Sequence, residues 1–293
     1  MHLISFNVQY GFGLDGRYDL ARIAEVIRPG DIICLQEVER HWTRSNNDDQ
    51  PALLGDMLPG HFWVYGPAFD MDASERQQGR VLNRRRQFGT MILSRWPILW
   101  SRLWPLPKRR MIDPLNTQNA ALEAVIDAPS GPLRVLSIHL AHVGVEERLE
   151  EIDFLLAQHQ RAPLEGGPWS GKDDEPARNW TEGQPEPPNP AAAIWMGDFN
   201  SEPFSAEYHR ICGSTPYHPG ARYAGGFVDA VAAAGQVPGS LRTHVKVIAG
   251  ETRLRQLDHC FVSGELAHRV RSVRVDNGCT ASDHHPLFVD IDL

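Results

Sequence analysis

Short apolar runs rich in β-branched residues recur along the whole chain: "HLISFN", "DIICLQE", "FWVYG", "FGTMILS", "AALEAVID", "RVLSIHL", "AAIWMGDFN", "LDHCFVS", "VRSVRV" and "HPLFVDIDL". Their lengths and turn-rich borders predict strands. Helical spacing is rarer. Leu20, Ile23, Ala24 and Ile27 follow it, with Asp19 as N-cap and Pro29-Gly30 as a stop, and "EERLEEIDFLLAQHQ" repeats it through Leu149, Ile152 and Leu156. Many strands with few interposed helices predict sheets packed face to face and covered outside by helices, an α+β sandwich.

The 293 residues are 42% hydrophobic and 23% charged, enough for a sizeable core. No run of about 18 apolar residues is present to span a bilayer, and "MHLISFNVQYG" reads as a strand rather than a signal peptide, so a cytoplasmic location is expected. Cys34, Cys212, Cys260 and Cys279 lack C-x-x-C spacing and are read as reduced. A net charge of −8 weakens the case for a general polynucleotide binder. From Ala162 to Ala191 the chain is rich in Pro, Gly and charge without an apolar period, which predicts a long surface insertion. Strand-like runs of one kind lie on both sides of it, so residues 1–293 are expected to form one domain.

Polar residues sit at the ends of these strands. Asn7, Glu37, His139, Asp198 and Asn200 fall at or near carboxyl ends, whereas Asp258, Asp283 and His284 fall at amino ends. In a sheet with antiparallel or mixed strands, such ends meet at one edge. Carboxylates, asparagines and two histidines, without clustered cysteine, suit a hard cation such as Mg²⁺ or Mn²⁺ better than zinc. Mg²⁺ takes few protein carboxylates and completes its shell from water and substrate phosphate, so the set predicts phosphoester hydrolysis. Taken singly, Asn7, Glu37 or "GDFN" reads as an ordinary strand end or turn. Agreement among six segments is what carries the reading.

In this order, "SFNVQYG", "LQEV", "SIHL", "GDFNSEP", "QLDHCFVS" and "SDHHP" resemble the motifs of the endonuclease/exonuclease/phosphatase superfamily, whose fold is that of the DNase I type. "FGTMILSRWPI" resembles a further family strand, with Thr90 and Met91 in place of Asn-Ala. The resemblance spans Asn7 to Pro286 and implies a four-layered α/β/β/α sandwich. By position it implies Glu37 as the principal metal ligand, aided by Asn7 and Asp283. Asp198 and Asn200 would align the nucleophilic water. His284 would be the base or the phosphate-binding histidine, oriented by Asp258, and His139 would stabilise the transition state or protonate the leaving oxygen. His285 occupies a variable place and is read as structural.

Fold does not choose the phosphoester. Gln9 stands where abasic-site nucleases of the superfamily carry Asp, and "FNVQ" is closer to DNase-like and phospholipid-hydrolysing branches. The expected substrate is therefore a small-molecule or lipid-derived phosphoester, with a nuclease as the enzymatic alternative. A catalytically silent binding module is the non-enzymatic one, and the intact Glu37, His139, Asp198, Asp258 and His284 argue against it. Arg84, Arg85 and Arg86 either hold a second phosphate or form a solvated loop. Trp96, Trp100 and Trp104 are read as packing residues.

Overall fold

The computed structural model describes the whole chain except residues 215–217, 219–220, 222–224 and 249–250. In chain order the strands are β1 (His2–Asn7), β2 (Ile32–Arg40), β3 (Phe62–Asp72), β4 (Glu75–Gln77), β5 (Arg80–Leu82), β6 (Arg85–Ser94), β7 (Ile98–Pro105), β8 (Ala120–Ala128), β9 (Gly131–His139), β10 (Ala193–Asp198), β11 (Phe227–Asp229), β12 (His244–Ile248), β13 (Glu251–Arg255), β14 (Asp258–Ser263), β15 (Val270–Val275) and β16 (Leu287–Ile291). The α-helices are α1 (Leu20–Ile27), α2 (Gln50–Met57), α3 (Val145–Glu165), α4 (Ala206–Cys212) and α5 (Ala230–Ala233).

Two six-stranded sheets, ordered β15-β16-β1-β2-β6-β3 and β11-β14-β10-β9-β8-β7, pack face to face. Alternation along each strand explains how both faces of a sheet are buried. Leu3, Ile32 and Cys34 point between the sheets at Val135, Ile194 and Met196. Ile4, Ile33 and Leu35 point outward onto Leu20, Ile23 and Ile27 of α1. On the other sheet, Leu136, Ile138 and Trp195 meet Ile152 and Leu155 of α3 and Ile211 of α4. The result is the α+β sandwich of DNase I-like type, helices outside and sheets within.

Strand direction creates the functional pole. β1 runs parallel to β2, and β9 parallel to β10, so four carboxyl ends lie together. β16 and β14 run antiparallel to their neighbours β1 and β10, which brings their amino ends to the same edge.

The apolar runs miss several strands. β7 is an edge strand whose side chains alternate between contact and solvent, and the β4–β5 and β12–β13 hairpins stand outside both sheets. α3 also runs through Glu165, past the expected start of the insertion at residue 162. Asn189 explains this extension, because its amide donates to the carbonyls of Ala162 and Gly166 and caps the helix end from within the insertion. Trp100 packs at the same place, donating to Pro188 O, as expected of a packing tryptophan.

Candidate active site

Each polar group reaches the pole by a specific backbone device. Asn7 is the last residue of β1, and its carbonyl accepts from Ser282 Oγ. Glu37 sits on a β-bulge: pairing of β2 with β6 jumps from Leu35–Met91 to Val38–Gly89, and Glu37 takes φ 60°. The bulge turns Glu37 out of the strand alternation. In "GDFN", the glycine is required because a Cβ on Gly197 would lie 1.8 Å from Ile138 O of neighbouring β9. Asn200 adopts φ 48°, a conformation asparagine tolerates, and its N–H donates to Asp198 Oδ1 at 2.9 Å. Thus the turn chemistry and the functional placement of this motif are one feature.

Asp198 is the centre of the constellation and is buried. Its Oδ2 accepts from Asn7 Nδ2 at 3.1 Å and lies 3.7 Å from both His139 Nε2 and His284 Nε2. Asn7 Nδ2 also donates to Glu37 Oε1 at 3.1 Å, and His139 Nε2 is 3.8 Å from that oxygen. On the far side, His284 Nδ1 bonds Asp258 Oδ2 at 2.7 Å. Thr243 Oγ1 accepts the N–H groups of Leu257 and Asp258 and fixes the start of β14.

The donor set fits a divalent cation. One ligand atom each from Glu37, His139 and Asp198 lies within 4.8 Å of the others, and the same holds for Asp198, Asp258 and His284. Asp258 Oδ1 is buried without a hydrogen-bond partner, and carboxylate oxygens with two histidine nitrogens make up both groups, while Asn7 turns its Nδ2 toward them and its Oδ1 to the Gln9 N–H.

Electrostatics divide the roles. Burial alone would raise the Asp198 carboxyl, but His284 and His139, helped by Asn200 and Asn7, hold it below its ordinary value. Asp258 is pushed up by burial against the opposing charge of His284. Burial opposes protonation of His284, yet Asp258 and Asp198 overcome it and raise the imidazole to about 10. Burial, with Glu37 and Asp198, pushes Asp283 up to about 6 against His284. The buried carboxylates therefore favour the imidazolium form of His284, and the two histidines favour the carboxylate form of Asp198.

The turn after His139 is held from two sides. Asn200 Nδ2 donates to Leu140 O, Arg148 Nη1 donates to Ala141 O, and Ala141 N–H donates to Glu151 Oε2. Burial raises Glu151 to about 8, with Glu147 adding to it and the Ala141 N–H, Asn119 and Arg148 opposing. An acid raised on folding remains protonated while its unfolded counterpart ionises, so this site costs stability as pH climbs from about 4.5 to about 8. Glu151→Gln keeps the acceptor and cannot ionise. Its Tm should match the wild type near pH 4.5 and exceed it at pH 8, by an amount equivalent to a few kcal/mol. A pH-independent difference would overturn this assignment.

All eight core residues expected from the sequence, Asn7, Glu37, His139, Asp198, Asn200, Asp258, Asp283 and His284, lie on the segments that meet at this pole. His285 faces away, with Nδ1 against Arg242 O. Arg84 is exposed, Arg85 pairs with Asp70 at 2.8 Å, and Arg86 lies over the Trp42 ring. Trp42 meets Phe69, Phe69 stacks on Phe88, and Phe88 approaches His139. Sequence reasoning missed Thr243 and His244. The His244 ring lies 4.7 Å from that of His284 across an isolated bridge. Neither sits in an apolar run, and a lone "TH" carries no signal of this contact.

Similarity to known proteins agrees with this geometry. The family model for the Endonuclease/Exonuclease/phosphatase family matches residues 4–284. A search of curated protein sequences returns no significant match. Among solved structures, the chain resembles an endonuclease/exonuclease/phosphatase family protein from Leptotrichia buccalis C-1013-b, at 17% identity and TM-score 0.65 with 100% of both chains covered. It also resembles a mannosyl-6-phosphatase from Bacteroides thetaiotaomicron VPI-5482, at 16% identity and TM-score 0.59 with 100% of both chains covered. D. rerio TDP2 complexed with a single-strand DNA product matches at 18% identity and TM-score 0.60, covering 100% of this chain and 99% of that one. At these identities the structures share the fold. The chain belongs to the endonuclease/exonuclease/phosphatase family of phosphoester hydrolases.

Proposed function

We propose that the chain is a divalent-metal-dependent phosphodiesterase or phosphatase acting on a small-molecule or lipid-derived phosphoester. The observation that carries this reading is Asp198, whose two oxygens meet Asn7, Asn200, His139 and His284 at once. Glu37, aided by Asn7 and Asp283, would hold a Mg²⁺ or Mn²⁺ ion, and that ion would supply positive charge to the phosphoryl oxygens.

The protein's own groups do the rest. Asp198, a carboxylate held in place by the Asn200 N–H, orients the attacking water and accepts its proton as the new P–O bond forms. The His284 imidazolium, fixed by Asp258, donates a hydrogen bond to a phosphoryl oxygen and strengthens it as negative charge accumulates. His139, on the Glu37 side, gives a proton to the departing ester oxygen as its bond to phosphorus breaks. Within the arginine triplet we assign Arg86 to the substrate, because it lies over Trp42, the far end of an aromatic chain that runs through Phe69 and Phe88 to His139. Free cysteines, with Cys34, Cys260 and Cys279 buried and Cys212 partly so, accord with a cytoplasmic setting, and among the described residues no helix is long and apolar enough to cross a membrane.

The test is turnover of p-nitrophenyl phosphate and bis(p-nitrophenyl) phosphate with and without Mg²⁺, followed by a panel of plasmid DNA, RNA, sphingomyelin, inositol phosphates and nucleotides. Metal-dependent release from at least one small phosphoester is expected. A folded, metal-saturated protein inert on the whole panel would favour a binding module, and DNA or RNA outperforming every small ester would favour a nuclease.

A further inference from the structure

The β12–β13 hairpin belongs to neither sheet, yet it is tied to the site. Val245 N–H donates to Asp283 O, His285 N–H donates to Thr243 O, and His244 bridges His284, so residues 283–285 lie beside β12 like a third strand. Directly paired residues present their side chains on one face. His284, His244 and Arg255 therefore form one row across this ribbon, because β12 pairs His244 with Arg255. Side chains alternate, so the next row on the same face is Lys246 with Arg253. The opposite face carries Val245, Thr252 and Leu254.

Two contacts confirm the arrangement of the first row: the His244 and His284 rings meet, and Arg255 Nη2 approaches His244 Nδ1 at 3.4 Å. Burial, then the charges of His284, Arg255 and Lys246, hold His244 down at about 3 against Asp198, so it adds no charge of its own. Lys246 and Arg253 are exposed, and among the described residues neither has an ion-pair partner. Elsewhere many arginines of this acidic protein are matched to carboxylates, as in Arg22–Asp15, Arg40–Asp49 and Arg148–Glu207. From strand spacing, the Lys246 and Arg253 Cα atoms lie roughly 8 and 12 Å from that of His284. Long side chains shorten that gap further.

We propose that the basic face of the β12–β13 hairpin, formed by Arg255, Lys246 and Arg253, binds a second phosphate of the substrate that is not cleaved. The preferred substrate is then a small phosphoester bearing at least one further phosphate. This rests on the phosphoester-hydrolase reading above. The row ends at Glu251, which shares the face at the last pair of the hairpin, and the chain's net charge is −8. Three cations closed off by a carboxylate fit one phosphate group and give a long polyanion no track to follow.

The experiment compares fructose 1,6-bisphosphate with fructose 6-phosphate at about 0.15 M salt with Mg²⁺. Both are measured as competitive inhibitors of bis(p-nitrophenyl) phosphate turnover and as ligands by calorimetry. The wild type should prefer the bisphosphate by at least about tenfold, the scale of one or two charge-assisted hydrogen bonds. Lys246→Gln/Arg253→Gln should abolish that preference and leave fructose 6-phosphate binding within about twofold. Lys172→Gln/Arg178→Gln, in the insertion, makes the same charge change and should preserve it. Equal binding of the two sugars by the wild type, or a preference that survives in the hairpin variant, would overturn the proposal. So would a single-stranded 12-mer that binds more tightly than the bisphosphate through the same two residues. If no ester is turned over but the calorimetric preference follows Lys246 and Arg253, the hydrolase reading fails and the anion site stands.

Discussion

His284→Ala abolishes most of the activity in kcat/KM, and adding Asp258→Asn to it costs little more: this is the expected outcome of a double-mutant cycle at saturating metal. His284 Nδ1 and Asp258 Oδ2 are 2.7 Å apart, both residues are buried, and Asp258 is the strongest of the charges that favour the protonated imidazole. Asp258→Asn keeps the shape but replaces the charge, leaving an imidazole that is misoriented or less readily protonated. By analogy with histidine–carboxylate pairs in other hydrolases, the single change should cost up to about four powers of ten. Residues that act as one unit give strongly non-additive losses. Multiplicative losses, with every variant folded, would return Asp258 to a separate metal or structural role, for which its unpartnered Oδ1 is the available atom.

Glu37→Gln is expected to raise the Mg²⁺ concentration for half-maximal turnover by at least about tenfold and to lower kcat at saturation. The amide removes the negative charge and retains an oxygen for the Asn7 Nδ2 hydrogen bond, so folding should be nearly unchanged. The bulge at Gln36 and Glu37 is a backbone feature and survives the substitution. Titration calorimetry with Mg²⁺ provides the direct readout. Unchanged metal affinity alongside reduced turnover would show that Glu37 acts on the substrate or on His139, whose Nε2 lies 3.8 Å away.

Sequence alone determined the strand-rich sandwich and its polar edge, because strand length, alternation and end-placed polar residues are local features. Asn7, Asp198 and His284 are distant in the chain, but each stands at the end of a readable apolar run, and parallel and antiparallel neighbours bring those ends together. Three matters were decided only by tertiary contact. From the sequence Glu37 falls at the carboxyl end of its run, whereas β2 continues to Arg40 and only pairing with β6 creates the bulge that redirects Glu37 from within the strand. Arg84 to Arg86 look like a free basic cluster, whereas Arg85 is paired with Asp70. The hairpin that carries Lys246 and Arg253 has no continuous apolar run, since one face is charged, and it acquires meaning only from the bridge between His244 and His284, residues forty positions apart in the chain. Local sequence encodes which face of a segment is buried; which segment it is buried against depends on register, and register is a property of the whole fold.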